Sequence, residues 1–256
     1  MNVNNKEREI NKKLFGSFIA GFLIIIFLTI KNSIVSELSQ IISFGSIAIF
    51  IVLSATKLNK IDYKNEDKFY QTLDLISLLL WTLFFFQLFF SFCFFRATVD
   101  GNSMLPTLYN EQNVIVRSSN NVKNGDIVVI SVKEKINTLT GSLKDGDLIC
   151  KRIIGVPGDN VYCINGDVYV NGEKLDESYL PEGTGTSIFN LESVMSRNKD
   201  LEYDNLVIPE GYYLVLGDNR TVSNDSRYMG LFHESQILGI IKYEMKESIF
   251  DWEKVK

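Results

Sequence analysis

The chain has 256 residues, 46% hydrophobic and 22% charged, with a formal net charge of -5. The acidic balance argues against a general nucleic-acid binder, which needs clustered Lys and Arg to neutralise phosphates, and the apolar content excludes a strongly charged disordered chain. Three cysteines are too few for a disulfide-rich scaffold, and without a CxxC or a Cys/His cluster at zinc spacing neither a structural metal nor a cofactor is expected.

The average conceals a split: 15 of the 18 Phe precede Arg96, whereas all 4 Pro and 14 of the 17 Gly follow it. Charged residues divide the first part into three apolar stretches. There are 17 uncharged residues between Lys13 and Lys31, 19 between Glu37 and Lys57, and 21 between Asp74 and Arg96. A helix rises about 1.5 Å per residue and the hydrocarbon core is about 30 Å thick, so the third stretch spans it and the first two are near the lower limit. Residues 1–97 are therefore expected to be a membrane anchor with three spans at about 14–30, 38–56 and 75–95. The rival for the first stretch is a cleaved secretory signal. The run is long for such a segment, and the following TIKNSIV lacks an A-x-A-like cleavage site.

Loop charge sets the orientation. Lys6, Arg8, Lys12 and Lys13 precede the first stretch and Lys57, Lys60, Lys64 and Lys68 follow the second, whereas the loop between those two has only Lys31. Both basic segments are expected on the cytoplasmic side, which places everything after Arg96 outside the plasma membrane.

From about residue 98 the period changes. Short runs rich in Val, Ile and Tyr, such as GDIVVISV, DLICKRIIGV and YYLVLG, are separated by turn residues. Asn165-Gly166 and Asn171-Gly172 are hairpin signals. Residues 98–256 read as one β-rich domain, a barrel or sandwich, with a long surface loop or insertion at about 181–204.

Three segments could carry chemistry: GNSMLPT around Ser103, ICKRIIGVPGD around Lys151, and GDNRTVSNDSR from Gly217 to Arg227. Alone, each also reads as an ordinary turn, strand edge or polar loop. Alternation in LICKRIIGV, however, puts Lys151 on one face with Ile149 and Ile153, and Cys150, Arg152 and Ile154 on the other. Burial there disfavours the ammonium, which is how a lysine becomes a general base for a serine hydroxyl.

Together the three segments resemble the bacterial type I signal peptidases, membrane-anchored serine proteases that remove signal peptides from exported proteins. The likeness runs from about Val99 to the end, with VNGEKLDESYL matching a hairpin between the lysine box and the terminal box. It implies an extracytoplasmic catalytic domain of complex β-barrel fold. It makes Ser103 the nucleophile, Lys151 its base and Ser223 the hydrogen-bonding partner that orients the amine. Asp218 would pair with Arg152, and Asp225 with Arg227, as supports. The backbone N–H of Ser103 would donate to the oxyanion. A second donor, a serine two residues earlier in some members, has no counterpart because Gly101 stands there.

Val99, Met104, Ile149 and Cys150 fall where members line small apolar pockets for alanine-like residues at the first and third positions before the cut. The implied partners are preprotein signal peptides, the lipid bilayer and the export translocon. Cys150 and Cys163 either pair as a disulfide or stay separate. His233, the only histidine, occupies no motif position. Competing readings are a self-cleaving Ser/Lys protease of the SOS-repressor type, which shares the core fold but is soluble and DNA-binding, and a catalytically silent membrane-anchored assembly factor.

Overall fold

The computed structural model describes Leu75, Leu78, Thr82, Phe85, Phe89 and residues 92–255, apart from 120, 134–135, 139–140, 200, 204 and 246–251. The chain divides into two units, Met1–Phe95 and Arg96–Lys256. The spans expected at about 14–30 and 38–56 lie outside the described residues. Of the third, Leu75, Leu78, Thr82, Phe85, Phe89, Phe92 and Cys93 are helical, and the Thr82 hydroxyl donates to the Leu78 carbonyl at 2.8 Å. Leu75, Leu78, Phe85, Phe89 and Phe92 form an exposed apolar stripe at helical spacing. Among the described residues no helix is long and apolar enough to cross a membrane.

Strand β1 is Phe94–Thr98. Phe94 and Phe95, assigned by hydropathy to the third span, are thus strand, and the β structure starts before residue 98. Their aromatic side chains suit a half-buried pleated surface. Just beyond them, Arg96 Nε and Thr98 Oγ1 both donate to Asn113 Oδ1 of β2, Asn113–Arg117.

The remaining strands are β3 (Ile127–Ser131), β4 (Ile136–Thr138), β5 (Gly141–Leu143), β6 (Leu148–Gly155), β7 (Val161–Ile164), β8 (Asp167–Val170), β9 (Glu173–Lys174), β10 (Tyr212–Leu216), β11 (Phe232–His233), β12 (Ile237–Met245) and β13 (Trp252–Lys254). The main sheet has eight strands in the order β1-β2-β12-β3-β6-β10-β11, with β13 on β12; β4-β5 is a separate hairpin and β7-β8-β9 a satellite sheet. The strand path is open at β1 and β11. The domain is mainly β, as expected, and β6 lies near its middle, paired antiparallel with β3 and β10.

Both hairpin signals hold. Asn165 and Gly166 (φ 53° and 89°) join β7 to β8, and Asn171 and Gly172 (φ 55° and 85°) join β8 to β9, the left-handed pair that matches strand twist.

Alternation along β6 holds too. Ile153 packs with Val128, Ile130, Val215 and Ile240 in one core cluster, with Ile149 against it, while Ile154 packs with Val161, Val168, Leu214 and Leu216 in another. The segment 181–204 departs from expectation. It contains helix α1, Leu191–Met195, whose Leu191, Val194 and Met195 are buried in the second cluster. Asn190 and Ser193 close a capping box at its start, and the Phe189 carbonyl accepts from Cys163 N–H at 2.8 Å. Part of the expected surface insertion is therefore core, because Leu, Val and Met recur at i, i+3 and i+4.

Candidate active site

Ser103 stands in the turn after β1. Gly101, at φ 89°, takes a left-handed conformation open to glycine, and its N–H donates to Asn110 Oδ1 at 2.7 Å. The turn is clamped from the far side by Asn219, whose backbone N–H donates to the Ser103 carbonyl at 3.0 Å and whose Nδ2 donates to the Asn102 carbonyl at 3.1 Å. Asn219 lies just beyond β10, so the segment Gly217–Arg227 is what holds the Ser103 turn in place.

Lys151 is opposite Val128 in β3 and is 3% exposed. Its Nζ donates to the Ser103 hydroxyl and to the Cys150 carbonyl, both at 2.8 Å. Burial pushes the Lys151 ammonium below its ordinary pKa, opposed chiefly by the negative charge of Asp225 and also by that of Asp218. Burial also raises the Cys150 thiol, against the neighbouring Lys151 charge.

Two buried ion pairs flank Ser103 and Lys151. Arg152 is opposite Leu216, so Asp218, two residues past the end of β10, meets it in a two-bond fork: Nε to Oδ1 at 2.9 Å and Nη2 to Oδ2 at 2.7 Å. The Thr107 hydroxyl also donates to Asp218, tying the Ser103 turn to the same carboxylate. Asp225 caps helix α2, Ser226–Met229, and binds Arg227 by a second fork with both distances 2.8 Å. Its Oδ2 also accepts from Gly217 N–H at 2.9 Å. Such two-bond pairs fix orientation as well as charge.

Ser223 is buried, but its hydroxyl has no hydrogen-bond partner. The expected bond to the Lys151 amine is not made, since the amine's contacts go to Ser103 and Cys150. Ser223 lies close nonetheless: a Cβ added to Gly217 would run into the Ser223 hydroxyl and, at 2.5 Å, the Ser103 carbonyl. Of the expected pocket residues, Val99 and Met104 are fully buried beside the nucleophile turn, and Ile149 and Cys150 are half-buried just before Lys151.

Cys150 and Cys163 are both free. They sit on different sheets, and Cys163 Sγ instead donates to the Thr186 carbonyl at 3.3 Å, so the disulfide alternative is excluded. His233 pairs with Tyr212, at the opposite end of β10 from Leu216 and Asp218. Four residues of strand amount to about 13 Å, and the ring is engaged with Ser235, 2.8 Å from Nδ1. His233 therefore stands apart from Lys151 and Asp218.

Spacing alone missed Arg220, Glu177 and Tyr179. Arg220 is fully buried; it donates to the Gly217 carbonyl, to Thr186, to Glu177 and to Tyr179. A lone arginine in a polar loop gives no sign of burial, and its carboxylate partner stands 43 residues away in the chain.

The site thus sets a half-buried serine hydroxyl against a desolvated lysine, flanked by two charge-paired arginines. The family described as "Signal peptidase, peptidase S26" matches residues 72–245. Signal peptidase IB of Staphylococcus aureus is 39% identical over 159 residues, covering 57% of this chain and 74% of that protein. Signal peptidase I P of Bacillus subtilis subsp. natto is 33% identical over 184 residues, covering 69% and 90%. A crystal structure of a signal peptidase I from Enterococcus faecalis V583 matches at 31% identity with a TM-score of 0.35, covering 46% of this chain and 95% of that one. The chain belongs to the signal peptidase family, peptidase S26, and is a serine endopeptidase.

Proposed function

We propose that the chain removes signal peptides from exported preproteins with a Ser103/Lys151 dyad, cutting after small residues in an Ala-x-Ala pattern. The observation that carries this reading is the 2.8 Å contact between the Ser103 hydroxyl and the desolvated Lys151 amine. Neutral Lys151 takes the hydroxyl proton as Ser103 Oγ attacks the scissile carbonyl, then returns it to the leaving amine; water releases the acyl group by the same route in reverse. The Ser103 N–H donates to the oxyanion. Asp218 with Arg152, and Asp225 with Arg227, hold β6, the nucleophile turn and the terminal box in register. Val99, Met104, Ile149 and Cys150 line the substrate pockets.

The same reading places the enzyme in the plasma membrane with its catalytic domain outside. Its support is the three apolar stretches, the flanking basic residues and the exposed apolar stripe of residues 75–92. The substrate segment, the bilayer and the translocon are then the partners.

The test is cleavage of a preprotein bearing Ala-x-Ala by the full chain in detergent, with Ser103→Ala and Lys151→Ala in parallel. Cleavage at that bond by the wild type alone is the expected result. Cleavage persisting in Lys151→Ala would sink the dyad, and a folded but inert wild type would favour the silent assembly factor.

Ser223 carries its own prediction. A neutral amine that accepts from Ser103 and donates to the Cys150 carbonyl has one N–H left, and the orphaned Ser223 hydroxyl is the acceptor that N–H takes as the proton moves. Ser223→Ala should lower kcat about tenfold, the worth of about 1.5 kcal/mol for a bond to a charged group. Thermal stability should hold or rise, because a buried unpaired hydroxyl is removed. Full activity in Ser223→Ala would leave the residue without a part in the reaction.

A further inference from the structure

We propose that Tyr179, on the segment following the satellite sheet, is a positioning residue for the dyad, aligning it through the two buried arginines Arg152 and Arg220. The inference rests on the Ser103/Lys151 reading and extends it to a residue outside all three motif segments. The Arg152 guanidinium lies over the Tyr179 ring, 3.9 Å from its centroid. On its other edge Arg152 forks to Asp218, which is also bound by Thr107 of the nucleophile turn. The Tyr179 hydroxyl accepts from Arg220 Nη2 at 3.1 Å and donates to Glu177 at 3.2 Å. Arg220 Nε in turn donates to the Gly217 carbonyl at 3.1 Å, and Gly217 is the backbone against which Ser223 and the Ser103 carbonyl rest.

A single side chain thereby touches both guanidiniums, one reaching the nucleophile turn through Asp218 and the other through Gly217. A guanidinium stacked on an aromatic face away from water is held more firmly than one held by a carboxylate alone. Tyr179 and Arg152 also line a cavity of about 600 Å³ with Asp126, Leu175, Ile241 and Lys242.

Loosening Arg152 leaves Asp218 less neutralised. The titratable groups that bear on Lys151 are Asp225, Cys150 and Asp218; the two carboxylates favour its ammonium form, and burial keeps the Cys150 thiol protonated. A stronger Asp218 field keeps Lys151 protonated to higher pH, so the acid limb of the rate profile moves upward. A residue that only stabilised the fold would lower the amount of active enzyme without moving that limb.

The experiment measures kcat and KM against pH on an Ala-x-Ala preprotein for wild type, Tyr179→Phe and Tyr179→Leu, with Ser103→Ala and Lys151→Ala as controls and the folded fraction checked by circular dichroism. Tyr179→Leu is expected to lose about tenfold in kcat with KM within about twofold, and to shift the acid limb to higher pH. Tyr179→Phe, which keeps the ring over Arg152, should recover most of the loss. If Tyr179→Leu does not fold, Tyr179→Met refills the volume without an aromatic face and is held to the same outcomes.

Wild-type kcat and limb in the leucine variant, a loss matched by folded fraction with the limb unmoved, or equal damage in Tyr179→Phe would each overturn the proposal. Activity surviving in either control would overturn the dyad itself and the proposal with it, a failure recognisable because it appears without any change at Tyr179.

Discussion

Lys151→Met should abolish preprotein cleavage and yet raise the melting temperature at neutral pH. The loss follows from the chemistry: methionine fills a similar volume but cannot accept the Ser103 proton, and a general base contributes about 10²- to 10⁴-fold to turnover. The gain follows from burial. In the unfolded chain Lys151 titrates at its ordinary value of 10.5, and in the folded chain desolvation lowers it. Between those two values the unfolded chain binds more protons, so wild-type stability climbs as pH rises through that window and is complete above 10.5. Below the folded value the enzyme carries the full cost of a buried cation. The stability advantage of the methionine variant is therefore largest at the low end of the window and shrinks toward alkaline pH.

Thermal unfolding of both proteins across that range checks the sign. A Lys151→Met chain less stable than wild type at neutral pH would mean that the ammonium is solvated or paired, and no longer a candidate base. The same displacement predicts that wild-type cleavage rises with pH through the lowered lysine value; a flat profile there would contradict general-base catalysis.

Lys151 was legible because its signal is local. Period-2 alternation in LICKRIIGV put a cation among isoleucines, and β6 buries it there between β3 and β10. The Arg152–Asp218 pair was legible only through the family resemblance, since nothing in local spacing brings the two together across 66 residues. The Ser223 geometry was not legible at all. Strand register fixes which backbone a side chain leaves from, but which of its three directions a lysine amine uses depends on contacts of a few tenths of an ångström.

Helix α1 was hidden for a different reason. Gly183, Gly185 and the polar residues around them read as loop, and the short Leu191, Val194, Met195 pattern after them spans little more than one turn, too brief to outweigh that composition. Tyr179 and Arg220 stand 41 residues apart, so their meeting is a property of the folded domain and of no segment of it.

Asp225→Asn separates the electrostatic from the structural work of the second ion pair. Asp225 accepts from Arg227 Nε and Nη2 and from the N–H groups of Gly217 and Arg227, and both partners of the pair are buried. Removing its charge leaves Arg227 a buried cation without its counterion, a change that typically costs about 3–5 kcal/mol. The asparagine keeps one acceptor oxygen, so the loss should fall toward the lower end, about 3 kcal/mol.

Asp225→Asn together with Arg227→Met should be more stable than Asp225→Asn alone, because the stranded charge is gone even though its bonds to Ser187 and the Arg220 carbonyl go with it. Asp225 is also the foremost negative charge favouring the Lys151 ammonium. Its neutralisation lowers the lysine pKa further, and the acid limb of the cleavage profile should move to lower pH in Asp225→Asn, opposite to the shift expected for Tyr179→Leu. Denaturant unfolding gives the first quantity and the pH profile of kcat the second. A limb that stays in place while stability falls would show that Asp225 acts on the fold alone. Movement to higher pH would mean that loss of packing around Lys151 admits water and outweighs the loss of the carboxylate's field.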